Sequence, residues 1–107
     1  MKKIIKGNTA IIEAATGNLS EFIAELCCEA ATCADKNLIV DLTSFGKFAS
    51  KDFAAFADLA KTQKKNKRSF VIIADTDYNK AKLIIVPTLQ EAHDMIEMDE
   101  IERDLGF

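Results

Sequence analysis

The chain has one histidine, one proline, four glycines and three cysteines among its 107 residues, and these shortages remove whole classes of chemistry. A lone His93 cannot build the paired metal sites of the metallo-β-lactamase-type nucleases, which need a His-x-His-x-Asp-His cluster, so a ribonuclease Z assignment has no support in the residues. His93 also stands far along the chain from Ser44 and Ser50, which leaves a serine nucleophile without an adjacent base. Gly46 is isolated rather than part of a glycine-rich phosphate loop. The cysteines, Cys27, Cys28 and Cys33, form one cluster, whereas a zinc ribbon or finger needs two separated ligand pairs. Their odd number, in a chain whose Met1-Lys2-Lys3-Ile4-Ile5-Lys6-Gly7 opening lacks a signal-type apolar region, predicts reduced thiols and a cytoplasmic setting. They read as small apolar residues of a helix, with Cys27 on its apolar face. Adjacent Cys27 and Cys28 point about 100° apart, so at most one of them is expected to face the core. No apolar run approaches the roughly 20 residues that span a bilayer. The net charge of −3 gives no global basic field for nucleic acid or an anionic membrane.

What remains is an ordinary globular balance, 49% hydrophobic and 29% charged, in a length that suits one domain with one core. No linker, repeat or low-complexity segment interrupts it. Lys3 to Lys6 and Thr9 to Ala14, separated by Gly7-Asn8, read as a hairpin. Leu19, Phe22, Ile23, Leu26, Cys27, Ala30 and Ala31 recur at helical spacing, with Asn18 or Ser20 to cap the helix and Glu21 in its first turn. Asn37-Leu38-Ile39-Val40-Asp41-Leu42 is nearly all apolar, as in a strand covered on both faces. Ser50 is the expected cap of a helix over residues 51–65, whose stripe is Phe53, Phe56, Ala57 and Ala60. The cations Lys61, Lys64, Lys65, Lys67 and Arg68 gather at its C-terminal end, the sign preferred there. Ser69 to Ala74 and Lys82 to Val86 are two further strands, the second stopped by Pro87. Thr88 and Glu91 make a capping box for a last helix, which carries Leu89, Ala92, His93 and Ile96 toward the sheet. The order β-β-α-β-α-β-β-α predicts an α/β fold, a mixed sheet with helices packed against it. Residues 1–107 make one domain, with 97–107 a possible helical extension.

Three stretches invite a chemical reading. Asp41 closes a central strand beside Thr43, Ser44 and Ser50, and strand ends of α/β sheets often hold small ligands. Asp75 and Asp77 are spaced as turn residues rather than as a catalytic pair. The run Lys64-Lys65-Asn66-Lys67-Arg68 lacks the interleaved aromatics of a nucleic-acid site and reads as a solvated helix end.

From Asn37 to Pro87, and on through Thr88-Leu89-Gln90-Glu91-Ala92, the pattern of elements resembles the STAS domain of bacterial anti-sigma factor antagonists. Leu38-Ile39-Val40-Asp41-Leu42 takes the place of the central strand, residues 51–65 that of the helix after the regulatory loop, and Phe70-Val71-Ile72-Ile73 that of the next strand. The family's Asp-Ser-Ser-Gly or Asp-Ser/Thr-Ser-Gly motif falls on Ala49-Ser50-Lys51-Asp52. Its phosphorylated serine is therefore Lys51 here, a fixed cation that accepts no phosphoryl group. Residues 75–80 are also too few for the helix the family carries between its last two strands.

The resemblance implies a non-catalytic protein-interaction module in bacterial regulation, without the serine phosphoswitch and without a cofactor. Its partner surface is expected at Ser44, Phe45, Gly46, Lys47, Phe48, Ser50, Lys51 and Asp52, where the family meets its partner kinase and where Phe45 and Phe48 could serve as aromatic anchors. A second surface is expected at Met95, Met98, Ile101 and Leu105, which repeat at about 3.5 residues and suit an adaptable interface with another chain. Rival readings are a small-ligand site at Asp41 and a structural homodimer.

Overall fold

The computed structural model describes residues 2–13, 19–32, 35–43, 52–74 and 84–106, with the side chains of 19, 20 and 52–55 outside the described set. Eight elements follow in the order β1 (Lys2–Lys6), β2 (Thr9–Glu13), α1 (Leu19–Thr32), β3 (Asn37–Asp41), α2 (Asp52–Lys65), β4 (Phe70–Ile73), β5 (Ile84–Val86) and α3 (Leu89–Asp104). The five strands form one sheet in sequential order. β1 is antiparallel to β2, while β2, β3, β4 and β5 are mutually parallel. The chain is an α/β domain with a mixed sheet and, among the described residues, three helices.

The hairpin that starts the sheet depends on Gly7. Lys6 pairs with Thr9 across a two-residue loop, and Gly7 has φ +57°. A positive φ at the first of two central loop residues belongs to a type II′ turn, where glycine avoids the Cβ clash. Lys2, Lys3 and Lys6 then place charge on an edge strand, which discourages pairing with another chain. Lys3 reaches across to Glu29 of α1 at 2.9 Å.

The strands read as continuous apolar runs because both sheet faces are covered. Ala10, Ile12, Leu38, Val40, Phe70 and Ile72 point to one face, where Phe22, Leu26 and Ala30 of α1 and Phe56 of α2 meet them. Ile11, Ile39, Val71 and Ile73 point to the other, where Ala92 and Ile96 of α3 complete a second cluster. The alternation of strand residues divides the apolar content between two layers, two helices on one side and one on the other.

Several expectations about helix faces need correction. Cys27 and Cys28 are both exposed, and so is Ala31, because α1 turns a narrower stripe to the sheet than its apolar spacing suggests. Leu89 is 40% exposed at the start of α3, and His93 is only half-buried, so Ala92 and Ile96 anchor that helix. In α2, Phe56 is fully buried while Ala57 and Ala60 are partly covered. β5 is described only from Ile84, and Lys82 and Leu83 of the longer strand expected there lie outside the described set.

The start of α3 follows the expected capping chemistry with one variation. Thr88 is extended, with φ −136° and ψ 157°, and its hydroxyl oxygen accepts the Glu91 backbone N–H at 3.2 Å. The Glu91 carboxylate returns to the Thr88 hydroxyl, also at 3.2 Å, rather than to the cap's backbone N–H.

Candidate functional site

The residues that the sequence nominates as a partner surface divide between described and undescribed chain. Ser44, Phe45, Gly46, Lys47, Phe48, Ser50 and Lys51 lie outside the described residues, as do Asp75, Asp77 and Cys33. Asp52 opens α2, its side chain outside the described set. In the chain, residues 44–51 fall between β3, whose C-terminal end lies beside those of β2 and β4, and α2.

Asp41, at that same end, is occupied locally. Its Oδ1 accepts the Thr43 backbone N–H at 3.0 Å and the Thr43 hydroxyl at 2.7 Å. This Asx-type arrangement turns the chain out of β3. Of the proposed tail surface, Met95 packs against the second core cluster, while Met98, Ile101 and Leu105 are 57%, 53% and 67% exposed. Among the described residues, no group of three or more His, Cys, Asp or Glu side chains could hold a metal ion.

The opposite sheet end holds a polar constellation that the sequence reading missed. Asn37, fully buried at the start of β3, uses every polar group on its side chain. Its Oδ1 accepts the Ser69 backbone N–H at 2.8 Å, and its Nδ2 donates to Glu100 Oε1 at 2.7 Å. The Ser69 hydroxyl, also buried, donates to Asp99 Oδ2 at 2.8 Å and accepts from Arg103 Nη1 at 3.3 Å. Three residues of α3 thus grip the starts of β3 and β4. Gln63, only 2% exposed on α2, donates its amide to the Lys36 carbonyl at 2.8 Å and fastens α2 to this end as well.

The basic run closes α2 through backbone geometry. Arg68 N–H bonds back to the Gln63 carbonyl at 2.8 Å and Lys67 N–H to Lys64 at 3.0 Å, the paired bonds of a Schellman motif. Lys67 occupies the left-handed position at φ +60°, where glycine is the usual residue.

A cavity of about 680 Å³ opens beside this constellation, between the ends of α2 and α3 and the β4–β5 pair. Its described lining carries four cations, Lys64, Lys67, Arg68 and Arg103, against two carboxylates, Asp99 and Glu102. Ala60, Phe70 and Ile84 supply an apolar wall. Spacing along the chain could not reveal this grouping, because Arg103 joins the basic run only when α3 lies back across β4. The legible signal was the run of cations itself, exceeding what one helix end needs.

No family pattern matches the chain, and no curated protein matches it in sequence. Among solved structures, the fold is similar to that of the protein TM1081, determined by NMR. The TM-score is 0.62 with 13% identical residues, over 89% of this chain and 86% of that one. At that identity the likeness concerns the fold alone.

Proposed function

We propose that the chain is a non-catalytic, STAS-like protein-interaction module in bacterial regulation, with its contact surface on the segment from Ser44 to Asp52. The observation that carries this reading is topological. In the chain, residues 44–51 follow parallel β3 and precede α2, and β3 ends at the C-terminal side of the sheet, where α/β domains commonly bind their ligands and partners. The β3–α2–β4 order, the basic turn after α2 and the Thr88-capped α3 agree with the element pattern on which the resemblance rests. Lys51 keeps a permanent positive charge where STAS relatives become anionic, so partner choice here is constitutive.

The test is affinity capture from the native cytoplasm with wild type and Lys51→Glu. Charge reversal at a contact surface changes which partners are retained, because like-charge juxtaposition opposes the original partner. The expected outcome is a changed set of captured proteins; an identical set removes the surface from this segment.

A second reading is self-association through α3. It rests on the exposure of Met98, Ile101 and Leu105 along one side of that helix.

A further inference from the structure

We infer that the cavity between the ends of α2 and α3 is a binding site for a small organic oxyanion, a phosphate ester on an apolar body. This goes beyond the interaction reading and stands apart from it, since the cavity lies at the opposite sheet end from Asp41, which precedes that segment in the chain.

Charge points first to an anion. Four cations face two carboxylates in the described lining, although the whole chain is acidic at −3. The C-terminal ends of the two helices offset some of this, each contributing about half a negative charge, and an excess of about one positive charge remains. Among the described residues the one ion pair is Lys3 with Glu29, remote from the cavity, so its cations are not spent on close carboxylate partners.

Arg103 points to an oxyanion in particular. Its Nη1 is fixed on the Ser69 hydroxyl, while its Nη2 is buried with no hydrogen-bond acceptor. Arg103 lines the cavity, and the planar fork of N–H donors on a guanidinium matches an oxyanion. The Asp99–Ser69 bond holds the hydroxyl that orients the guanidinium. Ala60, Phe70 and Ile84 favour an apolar body behind the charged group, and the volume falls in the usual range for small-molecule pockets.

The experiment is an amide-resolved NMR titration of the full chain with phenyl phosphate, beside inorganic phosphate and phenol. Phenyl phosphate should shift Ser69, Phe70, Ile84 and Arg103 saturably, with the two half-probes about tenfold weaker. Arg103→Gln should weaken phenyl phosphate by about tenfold or more, the loss expected of one charge-assisted hydrogen bond. Lys67→Gly removes a cation while easing the backbone, so it keeps a folded protein and should also weaken binding. Lys2→Gln, on the far edge strand, should leave binding unchanged. The proposal is overturned if shifts grow without saturating, if Lys2→Gln weakens binding as much as Lys67→Gly, or if inorganic phosphate binds as well as its phenyl ester. Lys51→Glu should not affect this titration, so either proposal can fail alone.

Discussion

Lys67 holds a left-handed backbone conformation, φ +60°, that a side chain bearing a Cβ adopts only at a cost. The Schellman bonds from Lys67 and Arg68 require that conformation, because they return the chain sharply enough to start β4. Lys67→Gly is therefore expected to stabilise the fold by about 1 kcal/mol, read as a higher urea midpoint at unchanged slope. A lower midpoint would mean that the lysine side chain contributes more than its backbone strain removes. The residue scale also explains the exposed pair Cys27 and Cys28. Small side chains near the edge of a helical stripe bury little area, so larger neighbours such as Phe22 and Leu26 determine which way α1 faces.

Among the elements, α3 bears the most responsibility for its area. Among the described residues it alone supplies helical cover to the second core cluster, through Ala92 and Ile96, with Met95 alongside. Its second half is held by polar bonds, Glu100 to Asn37, Asp99 to Ser69 and Arg103 to Ser69. Removing residues 98–107 would leave the fully buried Asn37 amide without its acceptor and the Ser69 hydroxyl without its carboxylate. Each buried polar group left unpaired costs about 1–3 kcal/mol. The truncated chain is expected to lose about 2–5 kcal/mol of stability, measured by chemical denaturation. A truncation that unfolds at the wild-type midpoint would show that these bonds contribute nothing net.

For the molecule as a whole, the radius of gyration is 12.9 Å, close to the roughly 13 Å expected of a compact domain of this length. Among the described residues the three most exposed large apolar side chains, Met98, Ile101 and Leu105, share one side of α3. If that side of the helix joins two copies, light scattering will show a dimer in the wild type and a monomer for Ile101→Glu. Ile101 is 53% exposed, so the substitution has little effect on the folded monomer and isolates association. A monomer in both cases removes the self-association reading.

Local pattern determined much of this protein. Apolar runs at Leu38–Val40 and Phe70–Ile73 specified strands covered on both sides, the Gly7-Asn8 pair specified the hairpin, and Thr88 with Glu91 specified the start of α3. Each is legible because its physics operates within a few residues: side-chain alternation, a turn conformation, a cap. Tertiary structure decided the rest. Asn37 is legible as the first residue of a strand, but only folding buries it completely and joins it to a carboxylate 63 positions away. Arg103 stands between Glu102 and Asp104 in the chain, and only α3 brings it against Ser69 and the basic turn of α2. Hydrogen bonds and cavities between distant segments depend on how helices lie across the sheet, and that arrangement comes from the packing of two whole faces rather than from any one stretch of chain.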